Sequence, residues 1–261
     1  MRHLRIGKVE QYLLSKLEAG EKIHLLLIDP EESSPENASR IASKAEEAGS
    51  DGIMVGGSTF FSQSQMDELV KSIKSSVGIP VIIFPNNVTS ISRYADAIWF
   101  MSLLNSVDHY FIIGAQSQGA VLVSQYGLEA IPMGYLVFGG DTAVAAMGRA
   151  LPLPLNRGEV AACYALAAQY LGMRFIYLEA GSGAQRPIPP QTIKAVRKAV
   201  AIPIVVGGGI RRPEDAVEAL KAGADIIVTG TIAEESFERC REIIRAVKSF
   251  KTWQTPHHFL P

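Results

Sequence analysis

Short apolar runs rich in β-branched residues recur from one end of the chain to the other, each followed by a longer stretch with helical spacing. No other feature limits the fold so tightly. The runs lie at 23–28, 52–55, 81–84, 97–101, 131–137, 175–178, 204–206 and 226–229, with a weaker one at 121–123. They lack a polar face, as parallel strands do when both faces are covered. Eight β-α units in roughly 250 residues is the size of a closed (βα)8 barrel. The expectation is a single-domain α/β TIM-type barrel over residues 1–261, with outer helices, an N-terminal helix and a short C-terminal tail. An open doubly wound sheet is the alternative.

Helix punctuation agrees. Ser34-Pro35 and Arg212-Pro213 put proline at a first helical position, and Gly49, Gly172 and Gly223 stand where helices should stop. Asn156 with Glu159 reads as a capping box opening a helix over 159–171. A faint internal repeat pairs 48–57 with 222–230 and 78–83 with 201–206, as befits a barrel of like units. The irregular stretch 139–158, rich in Gly and Pro, is long enough to read as a functional loop.

A composition 48% hydrophobic excludes disorder, and 25 Lys+Arg against 26 Asp+Glu leave no global field to hold a nucleic acid. An anionic ligand therefore needs a local site. Cys163 and Cys240 make neither a disulfide framework nor a metal knuckle, which fits a reducing cytoplasm. The N-terminal residues alternate charge and apolarity without a signal-peptide core, and no run approaches a membrane span. None of the histidines His3, His24, His109, His257 and His258 has metal-ligand spacing with another in an ordered segment. Nucleophile elbow, Walker loop and dinucleotide fingerprint are all missing from the sequence.

The chemistry-bearing signals gather at the carboxyl ends of the predicted strands, where barrel enzymes place their sites. One group is glycine-rich: Gly181-Ser182-Gly183, Gly207-Gly208-Gly209 and Gly230-Thr231. Glycines let backbone N–H groups approach an oxyanion, so three such loops on consecutive strands read as a phosphate cradle rather than as turns alone. The other group is polar. Asp29 ends the first strand and Ser58-Thr59 follow the second, a carboxylate and hydroxyl that suit Mg²⁺; a turn cap before Pro30 is the alternative for Asp29. Period-two alternation puts Tyr177 and Glu179 on one face, with Glu179 placed either to accept a proton from a substrate hydroxyl or to make a barrel-rim salt bridge. Trp99, Phe100, Met101, Tyr135 and Phe138 read by default as core.

AspPro at 29–30, GlyGlySerThr at 56–59, TyrLeuGluAlaGlySerGly at 177–183, GlyGlyGlyIle at 207–210 and ThrGlyThr at 229–231 carry a family resemblance. In order and spacing, together with 105–116 and 130–135, they resemble the archaeal geranylgeranylglyceryl phosphate synthases, in a superfamily shared with heptaprenylglyceryl phosphate synthases. The resemblance implies a (βα)8 fold and Mg²⁺-dependent transfer of a C20 prenyl group from geranylgeranyl diphosphate to the 3-hydroxyl of sn-glycerol 1-phosphate. It implies Mg²⁺ at Asp29 and Ser58. It further implies that glycerol phosphate is held by Tyr177, Leu178, Glu179, Ala180, Gly181, Ser182, Gly183, Gly208, Gly209, Gly230 and Thr231. The sequence has no DDxxD segment of the kind that holds metal in helical prenyl synthases, so one aspartate and diphosphate oxygens would have to serve. A homo-oligomer with transient membrane-surface association is expected. A phosphosugar isomerase or a non-catalytic phospholigand-binding barrel is the rival reading.

The prenyl tail needs an apolar channel. Alternation points Trp99 and Met101 to one side of their strand and Ile98 and Phe100 to the other, so one pair faces away from the barrel interior toward the outer helices. Trp99 is bulky enough to close a groove there as a length stop, or it simply packs.

Overall fold

A computed structural model describes residues 6–58 and 62–251; Thr59, His3, His257 and His258 lie outside the described residues. Along the chain come α1 (Lys8–Glu18), β1 (Ile23–Ile28), α2 (Pro35–Ala48), β2 (Gly52–Val55), α3 (Gln63–Ser76), β3 (Val81–Ile83) and β4 (Ala97–Leu103). Next are α4 (Ala115–Tyr126), β5 (Glu129–Val137), α5 (Ala143–Met147), α6 (Gly158–Tyr170), β6 (Phe175–Glu179), α7 (Pro190–Ala199) and β7 (Ile204–Gly207). The series ends with α8 (Pro213–Ala222), β8 (Ile226–Thr229), α9 (Thr231–Glu235) and α10 (Phe237–Ser249). A 3-10 turn, Val88–Ser90, precedes β4, and a π turn, Tyr110–Gly114, leads into α4. All eight strands are parallel and β8 pairs back onto β1, so the sheet closes as expected rather than lying open.

The weak run at 121–123 is helical, inside α4. Only Gly119 and Val123 of that helix are buried, an i,i+4 stripe that period-two reading mistakes for a strand. The capping box at Asn156 is also absent. The Arg157 N–H bonds back to the Pro154 carbonyl at 3.1 Å, which draws Asn156 into a turn, and α6 starts at Gly158 with no side-chain cap. Pro35 and Pro213 do open their helices, and Gly49 and Gly223 close theirs in the left-handed conformation.

The internal repeat has a physical cause at the amino ends of the strands. Asp51, just before β2, accepts from the His24 N–H of β1 at 3.0 Å, and Asp225, just before β8, accepts from Ile204 N–H of β7 at 3.0 Å. Asp96 repeats the bond to Val81 N–H at 2.8 Å. Each aspartate is paired with a base: Asp51 with Lys16 and Lys248, Asp225 with Lys22 and Arg197, Asp96 with Lys74. These clips fix strand register from below. His24, buried against Ser50 and Thr229, has its pKa pushed down to about 3 by loss of water and by Lys248.

α1 closes this end of the barrel. Val9 and Leu13 join the interior cluster, and Glu129 of β5 receives the first N–H groups of the helix, from Val9 at 2.8 Å and Glu10 at 2.7 Å. Glu10 is fully buried and held by both Arg174 Nε and Arg174 Nη2. Arg174→Met should strand that carboxylate and lower unfolding stability by about 3 kcal/mol or more, read from denaturant midpoints. Adding Glu10→Gln should restore most of the loss, and an unchanged midpoint in the single variant would refute the pairing.

Candidate active site

β3 is the shortest strand, and it ends because Pro85 has no N–H to give and holds Phe84 extended. β4 therefore meets β3 only at Ile82↔Ala97 and Ile83↔Ile98, while it follows β5 from Ala97 to Leu103. Above Ile98 the barrel wall is open on one side of β4. α4 and the π turn cover the gap with side-chain bonds: Gln116 Nε2 donates to the Met101 carbonyl at 2.6 Å, and Ser102 Oγ to that of Ile112 at 2.7 Å.

Two cavities meet at this opening. The first, about 500 Å³, sits over the carboxyl ends of the strands and is bordered by Asp29, Ser58, Glu179 and the three glycine loops. The second, about 420 Å³, is mostly apolar and runs between β4, α4 and the 3-10 turn, lined by Ile91, Phe100, Met101, Phe111 and Val123 among others. Gly57, Ser58, Phe84, Tyr135 and Val144 border both. Val144 belongs to α5, so the irregular stretch 139–158 does build part of the wall.

Glu179 stands on a floor of three rings, Phe84, Tyr135 and Tyr177, whose centroids lie 5.3–5.6 Å apart. Its Oε1 accepts from Gly181 N–H at 2.6 Å and its Oε2 from the Tyr135 hydroxyl at 3.3 Å; the Tyr177 hydroxyl also bonds it. Burial pushes the Glu179 carboxyl above its ordinary range, against the pull of these three donors. Both phenols are driven well above theirs by burial and the facing carboxylate, so they stay protonated donors. Among the described residues Glu179 has no salt-bridge partner, contrary to the rim alternative.

The glycines answer to close approach. Gly208 has φ +80°, and a Cβ there would lie 2.5 Å from Glu179 Oε1 and 2.6 Å from Gly181 N. Ser182 and Thr231 bring their hydroxyls to 3.3 Å across the cradle. At the opposite wall, a Cβ on Gly57 would collide with both Asp29 carboxylate oxygens at 2.4 Å. Asp29 caps the turn after β1, its Oδ1 accepting the N–H of Glu31 at 3.0 Å, and its side chain also borders the cavity. Burial raises its pKa. Glu32 and Glu234 face the same space, and Glu234 is pushed up to about 7 by burial and by Asp29, Glu32 and Glu235.

Trp99 faces the barrel interior, fully buried with its ring 5.1 Å from Phe175, and reaches the apolar cavity from that side. Ile98 and Phe100 are the outward pair, packed in the layer between strands and helices. Sequence reasoning took Tyr135 for core, because only its register beside Tyr177 reveals its contact with Glu179, and passed over Gln116, Arg211 and Glu234.

Residues 17–249 match the PcrB family. The chain belongs to the PcrB family. This PcrB protein is 53% identical over 238 residues to the geranylgeranylglyceryl phosphate synthase of Thermofilum pendens, covering 91% of its own length and 92% of the relative's. The crystal structure of (S)-3-O-geranylgeranylglyceryl phosphate synthase from Thermoplasma acidophilum, in complex with sn-glycerol-1-phosphate, superposes with a TM-score of 0.90 at 43% identity, over 94% of this chain and all of that one. The Thermoplasma volcanium enzyme gives the same TM-score at 46% identity, over 95% of this chain and 100% of its own.

A carboxyl-carbon NMR titration should place Glu179 above the ordinary glutamate value of about 4.3. Tyr135→Phe, which removes a bond favouring the charged form, should move the midpoint higher still. A midpoint at or below the ordinary value would contradict this account of the cage.

Proposed function

We infer that the chain is a prenyltransferase that joins the geranylgeranyl group of geranylgeranyl diphosphate to the 3-hydroxyl of sn-glycerol 1-phosphate, an early step of archaeal ether-lipid synthesis. The observation that carries this reading is the junction of a polar, carboxylate-floored cavity with an apolar one at Ser58, Phe84 and Tyr135. A phosphosugar isomerase has no use for the apolar chamber, and a passive phospholigand barrel has none for a buried carboxylate. The names of the relatives support the same activity.

In this reading the glycine loops at Gly181–Gly183, Gly208–Gly209 and Gly230-Thr231 hold the glycerol phosphate, with Tyr177 and Glu179 forming the wall beside it; Leu178 and Ala180, the alternate residues of the motif, are buried in the layer between strands and helices and do not border the cavity. Glu179 is the general base: its carboxylate takes the proton of the 3-hydroxyl as that oxygen attacks carbon one of the prenyl chain and the bond to diphosphate breaks. The raised pKa makes it a stronger base than a free carboxylate. The phosphate cradle fixes the hydroxyl in position, an entropic gain in a reaction whose electrophile is short-lived. Discrimination between glycerol phosphate enantiomers rests with Tyr177 and Glu179, because the cradle meets a phosphate that both enantiomers share.

Among the described residues no three His, Cys, Asp or Glu side chains gather as a metal cage. One carboxylate beside a hydroxyl, Asp29 and Ser58 on the cavity wall, still fits Mg²⁺, which keeps several waters and substrate oxygens. Bound there, Mg²⁺ would supply charge to the departing diphosphate. No helix among the described residues is long and apolar enough to cross a membrane. Since the prenyl diphosphate and product are amphiphilic, the reaction belongs at a membrane surface facing the cytoplasm.

The deciding experiment is a product assay with Mg²⁺, labelled geranylgeranyl diphosphate and each glycerol phosphate enantiomer. Ether product from the 1-phosphate enantiomer is expected. Glu179→Gln should cut turnover by about 10²-fold or more while glycerol phosphate still binds, and Asp29→Asn should cut it severely at every Mg²⁺ concentration. Wild-type rates in either variant would remove that residue from its role.

In this reading Trp99, which lines the apolar cavity from the barrel interior, sets prenyl length. Trp99→Ala should accept diphosphates longer than C20 with unchanged glycerol phosphate affinity. Lost stability at unchanged chain preference would leave it as core.

A further inference from the structure

The charge of the polar cavity is at odds with its ligands. Asp29, Glu32, Glu179, Glu234 and Glu235 border it, and among the described residues on its lining Arg211 is the only basic side chain. Yet a phosphate and a diphosphate must enter. Backbone N–H groups of the glycine loops direct hydrogen bonds at a phosphate without supplying a full positive charge.

Arg211 follows directly on Gly208-Gly209-Ile210. Its backbone is anchored: Asp215 accepts from the N–H of Arg211 at 3.3 Å and of Arg212 at 3.0 Å. Its side chain leaves this anchor and crosses to α9, where Nη1 lies 3.4 Å from Glu235 Oε2. Both partners are 44% exposed, and so long and wet a pair holds its guanidinium weakly. The neighbouring Arg212 differs. Its Nη2 is engaged by Asp215 at 2.8 Å, and it does not border the cavity.

We propose that Arg211 is the residue that captures glycerol phosphate, exchanging its ion pair with Glu235 for the substrate's phosphate as that group settles on Gly208 and Gly209. Glu235 is then an internal competitor that holds the guanidinium over the open cradle. A guanidinium forks onto two phosphate oxygens, a geometry that lysine does not reproduce. The proposal rests on the glycerol phosphate reading of the cradle.

Steady-state kinetics at saturating prenyl diphosphate, with sn-glycerol 1-phosphate varied, test it. Arg211→Gln should raise KM for glycerol phosphate about ten- to hundredfold while kcat stays within about threefold, as loss of a charged hydrogen-bond partner in binding alone requires. Arg211→Lys should recover only part, Glu235→Gln should lower KM below wild type, and Arg212→Gln should leave it unchanged. Competition by inorganic phosphate should weaken in proportion in Arg211→Gln, and raised ionic strength should weaken wild type more than this variant. Unchanged KM and unchanged phosphate inhibition in Arg211→Gln would overturn the proposal, as would a loss confined to kcat. Phosphate binding can also be followed calorimetrically without any prenyl substrate, so a wild-type protein that forms no ether would defeat the prenyltransferase reading while leaving the role of Arg211 measurable.

Discussion

A single proline sets the architecture of this site. Pro85 stops β3 after Ile83, and β4 continues to Leu103 with no partner on that side. A closed barrel packs its interior with side chains and leaves little room for a long apolar chain. Here the early stop opens a slot in the wall, and the slot joins the polar space over the strands to an apolar space under α4. The exposed edge of β4 would otherwise leave backbone carbonyls bare, and Gln116 offsets that cost by bonding Met101. Two ligands of opposite character can thus meet at one point without a second domain.

At that point the electrostatics run against the usual preference of a buried carboxylate. Glu179 loses water to the three rings beneath it, which favours its neutral form, and Tyr135, Tyr177 and Gly181 donate to it, which favours the charged one. The balance leaves a raised pKa with the carboxylate oriented by three fixed donors. Two of these donors, Tyr177 and Gly181, depend on a neighbouring glycine with no side chain in the way. Tyr177 reaches its place because a Cβ on Gly207 would sit 2.0 Å from its hydroxyl. The same glycine run therefore makes room for both the loop above and the carboxylate below.

Sequence patterning reached the strands because parallel strands buried on both faces are continuous apolar runs, and it picked out Asp29, Glu179 and the glycine loops, which the structure brings to one cavity, because they lie at strand ends. It missed what depends on contacts between distant segments. Tyr135 is apolar-flanked and alternates like core, and only its register beside Tyr177 turns its hydroxyl toward Glu179. The extension of β4 past Met101 was hidden because Leu103 precedes a polar loop, although Pro85 was already a visible reason for unequal strands. Trp99 was open to either face until strand pairing decided which residues of β4 point inward. Asn156 shows the converse error: a correct local motif lost to a turn closed by Arg157 and Pro154.

The two ends of the barrel treat acidic residues in opposite ways, and this separates stability from chemistry. At the amino ends Asp51, Asp96, Asp225 and Glu10 are each matched by a base and bonded to a backbone or guanidinium donor, so the charge stabilises the register. At the carboxyl ends Asp29, Glu179 and Glu234 all have pKa values raised by burial, with like charges adding to the rise at Asp29 and Glu234. Their ionised forms are held less favourably than in water. A fold that paired these carboxylates internally would gain stability and lose the reason to bind. The amino-end clips carry that cost elsewhere in the molecule, which is why α1 and the aspartate clips belong to the functional account as much as the glycine loops do.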